Sequence, residues 1–383
     1  MLELDTQDPA IIGARLKAAR TAANVTQQDA AAAIGAIRTT LVGIEQGSRR
    51  IRADELVKLA DLYGVAVHEL LQQEEFDVEL VPQFRRTLAK PTSKHGEAEW
   101  EAVRLLERLV ANYLEVERLT HKPLITNYPP VYSVSGRVLL EEGESIAMAE
   151  RARLGLGLAP IPDLILMLEV QVGLRIFTRP IHSRISGVFG YHERAGGCIL
   201  VNASHRAGRQ AISGAHEYWH FLTNRLIPEV LLSEQDSLVT GDRAANQFAM
   251  AFLMPAVAVR QLYESSAAGG TFTPTSIFYL AYVFNVSVEA MTRRLEQLKL
   301  VRPNTWRDLR ERGLKVDEVR EKIGLPEPKP RRNAPLRFLT LAVNAYLQGI
   351  LSEGELSRLL VVDRLTVREW VDEFGGLATE RTE

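Results

Sequence analysis

Apolar positions change their spacing several times along the chain, and each change marks an element. Residues 11–72 read as short Ala- and Leu-rich helices broken by small turns. Thr26, followed three residues later by Asp29, predicts a helix start. Its hydroxyl can accept from the third backbone N–H, and the carboxylate favours the positive helix end. That helix runs to Ile34 and stops at Gly35; a second, from Ile37 to Gln46, stops at Gly47. A longer amphipathic helix, free of proline, is expected over 95–120 as a connecting or dimerising element. From Tyr128 to Val301 helical and strand periods alternate. Helices are expected over Ser145–Gly155 and Asp163–Val172, divided by Pro160 and Pro162. Short apolar runs follow at Leu174–Phe177, Gly187–Tyr191 and Cys198–Asn202, then two more helices, the second ending near Met254-Pro255. The alternating prolines of Leu325–Pro335 predict an extended linker. Beyond it a helical module reaches about Phe374, with Leu356, Leu359, Leu360, Val367 and Trp370 facing inward.

Composition limits what this pattern can mean. At 383 residues the chain exceeds one ordinary domain. Its 46% hydrophobic and 25% charged residues are normal for globular protein. A net charge of −2 excludes a general polycation but leaves room for a local basic face. The single cysteine, Cys198, excludes a disulfide framework and a cysteine-rich zinc module; as a side chain it reads as a small buried apolar residue. No apolar run is long enough for a bilayer, so the chain is expected to be cytoplasmic, with no membrane contact. The expected fold class is multidomain: an all-α helix-turn-helix domain at 8–75, a helical connector at 76–127, an α+β domain with a small sheet at 128–301, a linker region at 302–335 and a helical C-terminal module at 336–383. The last could be another DNA-contacting helix pair or an accessory bundle.

Two short helices separated by a tight turn suit a helix-turn-helix, whose second helix enters the major groove of double-stranded DNA. Arg38, Thr39 and Thr40 open that second helix, where side chains reach base edges, and Gln27 opens the first. Arg49, Arg50 and Arg52 follow, placed to neutralise phosphates. A small helical bundle with solvated arginines is the alternative from periodicity alone. The strings Arg15-Leu16-Lys17-Ala18-Ala19-Arg20, Val25-Thr26-Gln27, Ile44-Glu45-Gln46-Gly47 and Leu59-Ala60-Asp61-Leu62-Tyr63-Gly64-Val65 resemble the XRE (Cro/C1-type) repressor domain. That resemblance implies DNA binding as a homodimer on paired half-sites.

His216-Glu217-Tyr218-Trp219-His220 is the most specific chemical signal. On a helix, positions i and i+4 share a face, so both imidazoles can grip one Zn2+ while Glu217 serves as general base. Such a metal acidifies water to a pKa of about 7. A third protein ligand should follow. Gly241-Asp242-Arg243-Ala244-Ala245-Asn246-Gln247-Phe248-Ala249, continuing to Phe252-Leu253-Met254-Pro255, resembles the E-x-x-A-N-x-F-A…LMP signature of the ImmA/IrrE metallopeptidases. The resemblance implies that Asp242, one methylene shorter than the usual glutamate, completes the metal site. Asn246, one turn later, could steady a ligand from behind. Asp242 also reads as a helix N-cap after Gly241. Ala149–Arg153, Pro160–Leu164, Ile199–Asn202, Leu280–Ser287 and Arg294-Leu295 extend the likeness over about 150 residues.

Tyr218 and Trp219 stand where that family favours small residues, so Trp219 either narrows the cleft or packs beneath the helix. Cys198–Asn202 could take an extended peptide as an added strand, and Tyr191 or His192 could donate to an oxyanion. Two functions fit: a DNA-binding regulator whose zinc peptidase cuts a regulatory protein, either a partner or itself, in a stress, phage or mobile-element response; or a non-catalytic transcription factor whose peptidase-like domain senses a peptide or small metabolite.

Overall fold

The computed structural model describes residues 9–23, 25–65, 67–71, 78–84, 94–135, 139–232, 243–268, 272–326 and 334–379. They fall into two compact units, Met1–Asp77 and Val78–Glu383.

The first unit is all helical: α1 (Pro9–Ala22), α2 (Gln27–Ala33), α3 (Arg38–Glu45), α4 (Ala53–Tyr63) and α5 (Val67–Leu71). Each helix contributes an apolar stripe to one core that includes Leu16, Leu41, Ile44, Leu56 and Leu59. The start expected at Thr26 is present, its hydroxyl accepting from the Asp29 N–H at 3.2 Å. Gly35 and Gly47 both sit in the left-handed region, at φ of 70° and 72°, which stops the two short helices at their predicted ends.

In the second unit α6 (Val81–Phe84), α7 (Lys94–Thr120), α8 (Leu139–Arg153) and α9 (Leu164–Met167) lead through a π-helical turn (Leu168–Val172) into the sheet. The strands are β1 (Arg175–Arg179), β2 (Ile185–His192) and β3 (Gly196–Asn202); α10 (Ala207–Thr223) then precedes β4 (Glu229–Leu232). Next come α11 (Arg243–Leu253), α12 (Ala256–Ala268), α13 (Pro274–Val283), α14 (Val288–Gln297), α15 (Thr305–Glu311) and α16 (Val316–Lys322). The chain ends in α17 (Leu336–Leu347), α18 (Glu353–Leu360) and α19 (Arg364–Thr379).

The sheet order is β1-β3-β2-β4, with β1 parallel to β3 and the other pairs antiparallel. Alternate side chains leave a strand on opposite faces, and here both faces are covered. Ile176, Phe189, Ile199 and Val201 join the core built with α10 and α11. The opposite residues Phe177, Val188, Cys198 and Leu200 are buried as well. On that second face Tyr113 of α7 and Phe338 of α17 stack at 4.7 Å between ring centroids, and both meet the Phe177 ring edge-on.

Several elements differ from the expectation. The α7 segment is more than a connector, because Leu106, Leu109, Val110 and Tyr113 are buried on the back of the sheet. The C-terminal helices share that surface. Arg337 of α17 donates to Glu117 of α7 at 2.8 Å, and Asn112 of α7 donates to the Leu359 carbonyl at 2.8 Å. The stretch 302–335 carries α15 and α16, whose Trp306, Leu309, Val316 and Val319 pack on the main core. Apolar residues at helical spacing there outweigh the loop signal of the later prolines. The helix expected through Val172 widens into a π turn from Leu168, which lets Glu169 accept from the Tyr113 hydroxyl at 3.1 Å.

Because Phe338 is fully buried between two other rings, Phe338→Ala should cost about 3 kcal/mol or more. In urea unfolding of the full chain the whole transition of the second unit should move to lower denaturant if the C-terminal helices belong to the sheet's core; a loss confined to those helices, with the sheet's transition unmoved, would contradict that packing.

Candidate metal centre and nucleic-acid interface

Helix α10 is buried along almost its whole length, which an ordinary surface helix would not tolerate. His216, Glu217 and His220 are 2%, 0% and 6% exposed, and the two imidazole centroids lie 5.1 Å apart on one face. His216 Nδ1 is 2.9 Å from Asn246 Oδ1 on α11. An amide oxygen only accepts, so Nδ1 carries a proton, which leaves Nε2 as the nitrogen a metal would use. His220 Nε2 has no hydrogen-bond partner among the described residues. Burial, aided by His216, pushes the His220 pKa down to about 3, so the ring stays neutral, the form that ligates metals.

Neither Glu217 oxygen has a hydrogen-bond partner among the described residues. Burial raises its pKa well above the ordinary carboxylate range, and Glu229 on β4 adds to the rise. The carboxylate lies against Gly187 of β2: a Cβ at that position would be 2.5 Å from Glu217 Oε1. Leaving Glu217 and His220 this deep with polar atoms unpartnered among the described residues is expensive, and a cation held beside them would offset the cost. The donor set of two imidazoles and a nearby carboxylate fits zinc.

Asp242 lies outside the described residues. Among the described residues no set of three His, Cys, Asp or Glu side chains forms a ready-made cage.

Tyr218 and Trp219 face away from this centre into the core. The Tyr218 hydroxyl donates to Glu150 of α8 at 2.6 Å, and Glu150 also accepts from Tyr132 at 2.8 Å and pairs with Arg153 at 2.8 Å. Trp219, 2% exposed, packs against Phe248 with centroids 5.7 Å apart, so it supports the helix from the core. Cys198 is fully buried and its thiol pKa is raised to about 12, chiefly by burial, which removes it from thiolate chemistry near neutral pH.

Two other expectations change. Strand Cys198–Asn202 is interior, paired on both sides by β1 and β2, and offers no edge to a peptide. Tyr191 lies four residues along β2 from Gly187, about 13 Å by strand geometry, and His192 accepts from the Arg194 N–H in the hairpin turn at 3.2 Å. Neither reaches Glu217. Gly187 and Glu229 are the neighbours that sequence reading passed over, since their relation to α10 depends on strand register.

In the first unit a polar chain crosses the helix-turn-helix. The buried Glu45 accepts from Arg20 at 2.6 Å and from the Gln27 amide at 2.9 Å. Gln27 Oε1 in turn accepts from Arg38 Nε at 3.2 Å, orienting that guanidinium at the start of α3. Thr39 is exposed and Thr40 half-buried. Arg49 makes a salt bridge to the buried Glu55 at 2.9 Å, while Arg50 is exposed. Gln28 and Ile37 are exposed at the same edge, Ile37 to 71%, and α3 lacks a side-chain N-cap there.

These geometries agree with the comparisons. Residues 11–72 match the model of a helix-turn-helix domain, and residues 170–296 match that of the IrrE N-terminal-like domain. No curated protein matches the chain. The chain therefore joins an XRE-like helix-turn-helix domain to an ImmA/IrrE-type, peptidase-like α/β domain. Among the described residues no helix is long and apolar enough to cross a membrane.

Since a methyl at position 187 would overlap the Glu217 carboxylate, Gly187→Ala should force Glu217 into another rotamer while β2 persists. A crystal structure of the variant would check this; an unmoved Glu217 would refute the contact.

Proposed function

We propose that this chain is a DNA-binding transcriptional regulator whose second unit is a zinc-dependent peptidase acting on a regulatory protein, a partner or a copy of itself, in a stress, phage or mobile-element response. The observation that carries the reading is the pair of buried imidazoles on α10 beside a carboxylate whose oxygens have no hydrogen-bond partner among the described residues. His216 and His220 would hold the metal through their Nε2 atoms, with Asp242 as the third ligand. Asn246 fixes the His216 tautomer, an arrangement whose loss typically weakens metal affinity about 10–100-fold. When bound, zinc supplies Lewis acidity, lowering the pKa of water to about 7 and drawing charge from a carbonyl oxygen.

The protein's own groups do the rest. Glu217 takes a proton from the attacking water as the new C–O bond forms, then delivers it to the nitrogen as the C–N bond breaks. Its apolar surroundings suit this shuttle, because a carboxylate poorly solvated in the resting state accepts a proton readily. An extended substrate would pair along β4, the edge strand that begins at Glu229. On the DNA side, α3 would enter the major groove with Arg38, Thr39 and Thr40 at base edges, held in place through Gln27. Arg50 would meet phosphate, and Arg49 would brace the turn through Glu55. Paired half-sites would be bound by a homodimer in the cytoplasm.

Purified protein should contain about one zinc per chain, and His216→Ala should lose it, as read by elemental analysis. Glu217→Gln should keep the zinc but lose cleavage of a candidate repressor substrate on a gel. Zinc-loaded wild type and Glu217→Gln behaving alike would instead support a non-catalytic sensor.

For DNA, Arg50→Ala should weaken binding at all sequences and lower the salt slope by about 1. Arg38→Ala and Gln27→Ala should both change sequence preference in a selection experiment. Unaltered affinity and preference in all three variants would count against the α3 docking.

A further inference from the structure

Unused hydrogen-bond donors gather at one place outside the α10 centre. A cleft of about 470 Å3 opens between α14 and α15, a volume within the range of small-molecule sites, about 300–1,000 Å3. Arg293 and Glu296 line it from α14, and Asn304, Trp306, Arg307 and Arg310 from the start and outer turns of α15. The α15 side lies past residues 170–296, the stretch that matches the IrrE N-terminal-like domain.

Part of the polar lining is already committed. Glu296 accepts from the Trp306 backbone N–H at 2.9 Å, and Arg293 pairs with Glu289 at 2.8 Å. Glu311, which also borders the cleft, is 3.8 Å from Arg307, close enough to attract but too far for a hydrogen bond. The remaining donors are unspent. The Arg310 guanidinium and the Asn304 amide have no hydrogen-bond or ion partner among the described residues, and Asn304 makes no side-chain cap on α15. Exposed arginines are ordinarily solvated and signify little alone. The indole of Trp306 decides the matter, because its Nε1 is buried and has no partner among the described residues. Indole N–H donates only, so leaving it unpaired away from water carries a desolvation cost.

A cationic or purely apolar ligand would leave that cost standing. An anion with several acceptor oxygens would meet the indole, the amide and the guanidinium groups together, and three arginines against two carboxylates favour it. Donors of this number match the three terminal oxygens of a phosphate ester better than the two of a carboxylate. The volume leaves room for an organic body, and the free lone pairs of Glu296 and Glu311 suit hydroxyl groups on it. We infer that the α14–α15 cleft binds a small phosphate ester with a hydroxylated body, a sugar phosphate or nucleotide, its phosphate held by Asn304, Trp306, Arg307 and Arg310. The assignment is independent of whether α10 supports a peptidase.

The test uses the full-length protein labelled with fluorotryptophan. Its four tryptophans give separate fluorine NMR signals, and Trp306→Phe identifies the one from Trp306. Titration with ribose 5-phosphate or with adenosine monophosphate should move that signal to saturation, the stronger of the two marking the preferred body. Free ribose should leave it in place. Calorimetry with the stronger probe should show binding weakened about tenfold or more in Arg307→Gln and in Arg310→Gln, and unchanged in Arg312→Gln, an exposed arginine outside the cleft. Both cleft arginines are exposed, so their variants test the site even where Trp306→Phe fails to fold. A Trp306 signal unmoved by either phosphate overturns the site, as does wild-type affinity in both arginine variants. Gluconate binding as tightly as the phosphates would overturn the choice of phosphate.

Discussion

Burying α10 between the sheet and α11 forces His216, Glu217 and His220 out of water, and that desolvation governs the chemistry of the second unit. It holds His220 neutral and drives the Glu217 carboxyl toward its protonated form. It also explains the local sequence. Gly187 leaves room for the carboxylate, Asn246 supplies the one acceptor His216 Nδ1 needs, and Tyr218 and Trp219 turn their bulk into the core. A helix this buried must be anchored from behind, and the Glu150 cluster with Tyr132, Arg153 and Tyr218 does so.

The same reasoning runs through the sheet to its other face. A four-stranded sheet with apolar residues on both sides needs two covers, and the second is assembled from distant parts of the chain: α7 before the sheet and α17 after it. Most polar groups at this seam are paired, although Arg175 Nε has no hydrogen-bond partner among the described residues. Arg175 donates to Glu117 at 2.5 Å, Arg337 reaches Glu117 at 2.8 Å, and Glu169 accepts from Tyr113 at 3.1 Å. Breaking one member would strand a buried charge, so the cluster specifies how the C-terminal helices dock more than it adds net stability. Val361, in the left-handed region at φ 54°, closes α18 where a glycine would be less strained. Arg179 donates to the Leu360 carbonyl just before it, satisfying a helix-end acceptor.

The first unit uses buried charge differently. Glu45 gathers Arg20 and Gln27, and through Gln27 the side chain of Arg38 is positioned at the start of α3. In the docking proposed above, a preoriented arginine would lose less conformational freedom on binding. The 49–52 arginines are less uniform than their spacing suggests, since Arg49 answers a buried carboxylate at 2.9 Å.

Local spacing settled a good deal by itself. The helix start at Thr26, the glycine stops at 35 and 47, the short strands and the HExxH helix all depend on contacts within a few residues, where periodicity and turn chemistry carry the information. The likeness to two known domain types was legible for the same reason. Contacts between residues far apart were not. Nothing in Gly187 or Glu229 taken alone announces a place beside Glu217, because a strand's facing depends on register with its partner. Cys198–Asn202 looks like any short apolar strand until its two neighbours make it interior. The helices of 305–322 and the role of Phe338 became visible only once the packing showed which apolar surfaces had to be covered. A sequence states which surfaces are apolar; the tertiary fold decides which of them meet.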